Sequence, residues 1–273
     1  MHALIDWPLA DRRRITGVLT DIDDTLTTDG AITPEALAAL GALKAAGLQV
    51  MAITGRPVGW SEPFAQAWPV DAIAAENGAV VLLPSKNSYL RIPGSHNLLS
   101  KLYRQDEATR QHNLAKMQKV AQRVLREVSG AVLAQDSAGR ETDMAIDHSE
   151  FAHLDPDRIA QTVQIMRSEG MTATVSSIHI NGWFGSHNKL EGARWMVREL
   201  FGRNLDDEMD RWAYVGDSTN DQLMFEAFNN SVGVANVRRF EAQLSHPPRY
   251  ITQGERGAGF AEVAAALLAA RAG

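Results

Sequence analysis

Near the start of this 273-residue chain a short apolar run, Ile15-Thr-Gly-Val-Leu-Thr20, stops at Asp21, with Asp23, Asp24 and Thr25 directly behind it. The run is rich in β-branched and aliphatic residues, which suits a strand buried on both faces. Carboxylates at the end of such a strand are costly to desolvate and call for cationic company. Asp21 and Asp23 stand two apart, so both can face one crevice if the extended backbone continues. Paired carboxylates of this kind suit a divalent cation with oxygen ligands, and Mg²⁺ is the usual one. Three later clusters carry matching chemistry. Thr54-Gly55-Arg56 joins a hydroxyl, a glycine that lets a backbone N–H come close to a ligand, and a positive charge. Lys189 supplies a point charge, and Asp217-Ser-Thr-Asn220-Asp221 brings two more carboxylates among small polar residues. Brought together, these groups would support phosphoryl transfer. Asp21 attacks phosphorus and becomes an aspartyl phosphate. Asp23 protonates the leaving oxygen, then deprotonates the attacking water. A dication neutralises Asp21 and a phosphate oxygen at once, while Lys189 and Thr54 hold the remaining oxygens. Two unit charges about 4 Å apart interact by roughly 4 kcal/mol at an effective dielectric of 20. Lys189 alone scarcely offsets repulsion of that order between Asp21 and a phosphate dianion; Lys189 plus a dication does.

For residues so distant in sequence to meet, each must end a strand or open a helix along one edge of a parallel sheet, where open α/β folds bind ligands. The pattern provides such elements. Thr33 and Pro34 start a helix that carries Leu37, Leu40 and Leu43 and stops near Gly47. Leu48–Ile53 reads as the second buried strand and ends at Thr54. Val70–Ala75 is a third, and Glu76-Asn-Gly-Ala79 signals a hairpin into Val80–Leu83. From about Pro84 the character changes. Ser85–Asn97 is polar, with Tyr89–Ile92 as a candidate edge strand, and Gln105–Val128 is a long amphipathic helix with Leu114, Met117, Val120, Val124 and Val128 at helical spacing. Ala131–Ala134, Thr142–Ile146 and Met171–Ile180 are candidate strands, with a helix from Asp155-Pro156 to Gly170 among them. The core pattern resumes at Lys189, which opens a helix to Phe201. Strands follow at Arg211–Val215, Ser231–Ala235 and Tyr250–Thr252, then an Ala-rich helix after Gly257. The expected fold is α/β: a doubly wound, mainly parallel Rossmann-like sheet core (1–83 and 187–273) with an inserted smaller α+β cap domain (84–186).

These residues resemble the haloacid dehalogenase superfamily of phosphatases. Its first motif, Asp-x-Asp-x-Thr after a buried strand, is matched by Asp21, Asp23 and Thr25. Thr54 in Ala-Ile-Thr-Gly-Arg-Pro is similar to the second motif, Lys189 to the third, and Gly-Asp-Ser-Thr-Asn-Asp at 216–221 to the fourth. An insertion between the second and third motifs, with Ala-Glu-Asn-Gly-Ala before it, resembles the Cof-type branch, which includes sucrose-phosphate, mannosylphosphoglycerate and trehalose-phosphate phosphatases. The resemblance implies Asp21 as nucleophile and Asp23 as acid/base. It implies Mg²⁺ held by Asp21, the Asp23 carbonyl and Asp217, with Asp221 supporting, and phosphate touched by Thr54, the Gly55 amide, Lys189 and Asn220. Asp24 stands where many relatives have glycine. His179, Asn181 and Trp183 fall just before the return to the core, where a cap strand could look down on the site. Aromatic and amide groups suit a sugar, so these three join Arg56 as substrate candidates; Arg140, Asp143 and Asp147 are weaker ones.

Composition narrows the rest. A formal net charge of −6 argues against a general nucleic-acid or membrane-surface binder. There is no cysteine, which excludes disulfides, thiolate chemistry and Cys-ligated zinc. The N-terminus lacks the basic-then-apolar pattern of a signal peptide, and no apolar run is long enough to span a bilayer, so the expected location is the cytoplasm. The expected partner is a small phosphorylated molecule, a sugar phosphate or related monoester. Rival readings are a phosphomannomutase-like phosphomutase using the same aspartyl phosphate and a receiver-like signalling module; the large insertion and the Asp21/Asp23 pair speak against the second.

Overall fold

A computed structural model describes residues 1–84 and 99–271. The candidate edge strand Tyr89–Ile92 lies outside them. Among the described residues nine strands form the principal sheet, in the order His2–Ala3, Tyr250–Ile251, Ser231–Gly233, Trp212–Gly216, Gly17–Thr20, Gln49–Ile53, Ala72–Ala75, Val80–Pro84 and Leu99–Tyr103. The first seven run parallel, and the last two pairings are antiparallel. Gly17–Thr20 sits centrally, with Thr20 in register with Val215 on one side and Ala52 on the other. Its neighbours come from opposite ends of the chain, so the strand order reverses here and a crevice opens beyond the carboxyl ends.

The two-residue period of the strands sorts their side chains between two apolar layers. Val18, Val50 and Ala52 pack with Leu40, Leu43, Phe260 and Leu267, which come from helices Pro34–Ala45 and Arg256–Arg271. Leu19, Met51 and Ile53 pack on the other face with Ala193, Met196 and Val197 of helix Lys189–Phe201. Expected stripes are slightly narrower in reality: Leu37 is 40% exposed and Leu114 38%.

A second, four-stranded antiparallel sheet runs in the order Thr172–Val175, His179–Trp183, Met144–Asp147, Val132–Leu133. Helices Glu107–Glu127 and Pro156–Ser168 cover one face, where Met117, Val124, Ile146, Met166 and Ile180 form a separate core. Asp155 caps the second helix by accepting the Arg158 N–H at 2.9 Å. The uncovered face bears His179 and Asn181 and turns toward the crevice, with Asn181 Nδ2 donating to the Gly55 carbonyl at 3.2 Å.

Two segments depart from expectation. Leu99–Tyr103, expected in the insertion, forms the outer strand of the principal sheet beside Val80–Pro84. Met171–Ile180 is two strands: Ser176 Oγ accepts the N–H groups of Ile178 (3.3 Å) and His179 (3.0 Å) and so folds the chain back within an alternating run. The Arg12–Arg14 cluster lies on a short helix, where Arg12 and Arg13 donate to the carbonyls of Ala266 and Ala270 near the end of the last helix. That is favourable placement for cations, because the helix dipole is negative there.

Candidate active site

Backbone pairing aims Asp21 into the crevice: its N–H continues the ladder by donating to Val215 O at 2.8 Å. Lys189 reaches it from above. Asn188 caps that helix by accepting the Glu191 N–H at 2.9 Å. The helix start comes close to the sheet because Gly78 and Gly192 touch backbone to backbone; a Cβ on Gly192 would lie 2.6 Å from Gly78 Cα. Lys189 Nζ donates to Asp21 Oδ1 at 2.5 Å and to Asp221 Oδ1 at 2.7 Å. Asp221 Oδ1 also accepts from Tyr214 Oη at 2.5 Å, while its Oδ2 accepts the N–H groups of Asp217 (2.9 Å) and Ser218 (3.1 Å). Gly216 makes room for this, since a Cβ there would lie 2.5 Å from Asp221 Oδ2.

A carboxylate has about four lone-pair positions, and Asp221 uses all four on protein donors. With these partners it orients Lys189 and the Asp217 backbone, in keeping with its expected supporting place beside Asp21 and Asp217. Asp217 is different. Asn236 Nδ2 donates to its Oδ2 at 3.1 Å, and its buried Oδ1 has no partner. Carboxylate oxygens of Asp21, Asp217 and Asp221 lie within 4.8 Å of one another. Burial, with Asp221 and Asp23 adding repulsion against the pull of Lys189, pushes the Asp21 carboxyl up to about 8. Burial and then Asp21 and Asp221 hold Asp217 well above the usual carboxylate range. Burial opposes the Lys189 charge, but the two aspartates outweigh it and raise the ammonium pKa. Crowded oxygen donors, an unpartnered buried carboxylate oxygen and acids held above their ordinary range are what a hard divalent cation relieves. The residues present fit Mg²⁺.

Across from Lys189, Arg56 Nε donates to Asp23 Oδ1 at 2.9 Å, and Thr54 Oγ1 leans on Asp23 Oδ2 at 3.5 Å. Thr54 Oγ1 also accepts the Arg56 N–H at 2.9 Å. The rest of the Arg56 guanidinium goes to the inserted segment: Nη1 to Asp136 at 3.1 Å and Nη2 to Glu150 at 2.7 Å. His179 Nε2 lies 2.8 Å from Glu150; burial works against the Glu150 charge, but the neighbouring His179 and the Arg56 guanidinium hold its carboxyl down at about 2. Arg56, expected to meet substrate, is thus taken up by three carboxylates and ties Asp23 to the second sheet. Asn181 donates to Asp143 (3.0 Å) as well as to Gly55 O, and Arg140 Nη1 makes the same two contacts. Asp143 is pushed up to about 7 by burial, with Arg140 opposing. Trp183 does not reach the crevice: it is fully buried, its indole donating to His187 O at 3.0 Å.

Asn220, Asp21, Asp23, Gly55, Asn181 and Asp217 line a central space of about 10 Å³, room for roughly one water. Asp24, where glycine is usual in the resembled family, has φ +55° and pairs with Arg256 at 3.0 Å. The left-handed conformation accounts for the glycine elsewhere, and aspartate is among the residues that tolerate it. Sequence reasoning missed Tyr214, Asn236, Glu150, Asp136 and Glu76. Asn236 follows the strand Ser231–Gly233, so the strand-end rule that found the others could have found it. Glu76 is fully buried and accepts from Val58 N (3.0 Å), Glu141 N (2.9 Å) and Thr142 N (2.5 Å), a second tie between the two sheets.

Residues 18–113 match the family model of haloacid dehalogenase-like hydrolases. The structure overlays on a Thermoplasma acidophilum protein with a TM-score of 0.66 at 16% identity, covering 93% of this chain and 98% of that one. The fold is that of the haloacid dehalogenase-like hydrolases. The resemblance is borne out by a match over the stretch that holds Asp21, Asp23 and Thr54, and the mainly parallel core with added cap segments is borne out by the overlays. A HAD/COF-like hydrolase from Plasmodium vivax gives a TM-score of 0.66 at 16% identity, over 96% of this chain and 99% of that one. The sucrose-phosphatase from Synechocystis, solved with sucrose and phosphate, gives 0.62 at 15%, over 93% and 98%. No curated protein sequence matches this chain. Among the described residues, no helix is long and apolar enough to cross a membrane.

Proposed function

We propose that this chain is a Mg²⁺-dependent phosphatase that hydrolyses a phosphate monoester of a small metabolite through an aspartyl phosphate on Asp21. The observation that carries the reading is the Lys189 ammonium, 2.5 Å from Asp21 and 2.7 Å from Asp221, beside the unpartnered oxygen of Asp217. With its three carboxylates ionised, such a cluster is anionic until a dication offsets it. Asp21 and Asp217, with the Asp23 carbonyl, are the groups to hold Mg²⁺, which when bound offsets the repulsion between carboxylate and phosphate.

In the proposed reaction an Asp21 oxygen attacks phosphorus in line as the ester P–O bond breaks. Asp23 passes a proton to the departing alcohol oxygen. Water then attacks the aspartyl phosphate, Asp23 takes its proton, and inorganic phosphate leaves with Asp21 restored. Lys189, Thr54, the Gly55 N–H and Asn220 would hold the non-reacting oxygens. Arg56 keeps Asp23 aimed at the leaving group. Arg140 and Asn181 reach over from the second sheet to the Gly55 carbonyl, so in this reading they help to close the site against water. Likeness to a sucrose-phosphatase supports a sugar phosphate as one candidate.

Release of inorganic phosphate from 4-nitrophenyl phosphate in Mg²⁺ tests the reading. Native protein should turn over and Asp21→Asn should not, with circular dichroism unchanged. Equal activity in the two proteins would end the assignment.

A further inference from the structure

Beyond the small central space, a cavity of about 1090 Å³ opens from Asp23 and Asp217 outward. Ligand pockets commonly measure about 300–1,000 Å³ and hold drug-sized molecules, so this one exceeds what a short phosphorylated metabolite fills. Its shape follows one helix. Pro156, Ile159, Ala160, Val163, Gln164 and Arg167 all line it. Their spacing is a single stripe of helix Pro156–Ser168, about 16 Å long at 1.5 Å per residue. Phe240 borders the cavity from the principal domain. The start of the helix lies toward the catalytic acids, because Glu150, just before it, holds Arg56, and Arg56 holds Asp23. Polar side chains on the stripe come only at its far end, as Gln164 and Arg167.

From this arrangement we propose that the leaving group is a long amphipathic alcohol rather than a bare sugar. Its phosphate sits at Asp21, an apolar body lies along the Pro156–Val163 stripe opposite Phe240, and a polar end meets Gln164 and Arg167. The proposal rests on the phosphatase reading and names its substrate class. A polyol on this stripe would turn the hydroxyls of that side toward carbon; the polar residues that line the cavity, such as His153, Arg239 and Gln243, come from other segments. The three residues expected to read a sugar do not compensate. His179 stands with Nε2 2.8 Å from Glu150, Asn181 is held by Gly55 and Asp143, and Trp183 is out of reach.

The test is a phosphate-release series with Mg²⁺ on ethyl, butyl, hexyl and octyl phosphate, alongside glucose 6-phosphate and 4-nitrophenyl phosphate. Full burial of one methylene corresponds to about fourfold in affinity; along an open-sided groove kcat/KM should rise about twofold per methylene. Ala160 is exposed on the stripe, so Ala160→Glu puts a charge in the groove without removing a core contact. The octyl-to-ethyl ratio of kcat/KM should fall toward one in that variant. Glucose 6-phosphate exceeding the alkyl esters, a flat series, or an unchanged ratio in Ala160→Glu would each overturn the amphipathic substrate while leaving the phosphatase intact. No phosphate release from any ester, 4-nitrophenyl phosphate included, would overturn the phosphatase reading and this inference with it.

Discussion

Replacing Arg56 probes the link between the two sheets and the proposed acid/base. Its guanidinium is 5% exposed and meets Asp23, Asp136 and Glu150. In Arg56→Met these three carboxylates lose it unequally. Asp136 keeps Arg140 at 3.0 Å and Glu150 keeps His179 at 2.8 Å. Asp23 keeps only the 3.5 Å approach of Thr54. Breaking a buried ion pair commonly costs about 3–5 kcal/mol, and two retained partnerships put the expected loss at the lower end, about 3 kcal/mol. The functional loss falls on Asp23. One charge-assisted hydrogen bond contributes about 1.5–3 kcal/mol, and each 1.36 kcal/mol is tenfold in rate, so kcat should drop about 10- to 100-fold. KM for 4-nitrophenyl phosphate should change far less, because four of the five Arg56 N–H groups already go to Asp23, Asp136 and Glu150. Arg56→Lys keeps the charge without the fork and should recover part of kcat. Urea unfolding and steady-state kinetics read both quantities. A KM rise with kcat intact would mean that Arg56 binds substrate after all, and stability within 0.5 kcal/mol of native would show that the three-carboxylate hub is not formed in solution.

Gly216→Ala should destabilise the protein by about 1–3 kcal/mol through overpacking, because the added Cβ would stand 2.5 Å from Asp221 Oδ2; urea unfolding with native stability would refute the tight fit. Mg²⁺ should raise the melting temperature of native protein but not of Asp217→Asn, whose Oδ1 position would no longer carry charge; a shift of the same size in both would remove Asp217 from the ligand set. Asp143 gives a pH test. Its carboxyl, raised by burial from 3.8 to about 7, contributes stability that is complete below about pH 4 and lost as pH rises through 7, since the folded state holds the proton more tightly. Asp143→Asn should therefore gain on the native protein between pH 4 and 8, and parallel stability curves would contradict this.

The parts of the site readable in advance share one property: they sit where a short-range pattern ends. Asp21, Thr54 and Asp217 each follow a run of buried β-branched or aliphatic residues, and the geometry of parallel sheets brings such ends together whatever their separation in sequence. Lys189 follows Asn188, a recognisable helix cap. The partnership roles were not readable, because they depend on which residue fills a particular lone pair. Nothing local distinguishes Asp221, saturated by Lys189, Tyr214 and two backbone N–H groups, from Asp217, which keeps an oxygen free. The same holds for Arg56, whose partners lie 80 and 94 residues onward. Alternation misled once, at Met171–Ile180, because a turn closed by a serine hydroxyl costs no break in the apolar pattern.

What the long-range contacts add is a coupling through five residues, Thr54 to Val58. Thr54 and Arg56 face Asp23, the Gly55 carbonyl receives Arg140 and Asn181, and the Val58 N–H is held by Glu76, which also grips Glu141 and Thr142. The polar ties from the second sheet to Asp23 pass through this segment, while Thr219 Oγ1, donating to Val175 O at 2.7 Å, ties the sheet to the 216–221 turn. Movement of the second sheet therefore cannot leave Asp23 unaffected: opening removes Asp136 and Glu150 from Arg56, and a guanidinium freed of two carboxylates no longer holds the third in one orientation. On the proposed mechanism, admission of substrate and alignment of the acid/base would then be one event, with the proton delivered once the leaving group is enclosed.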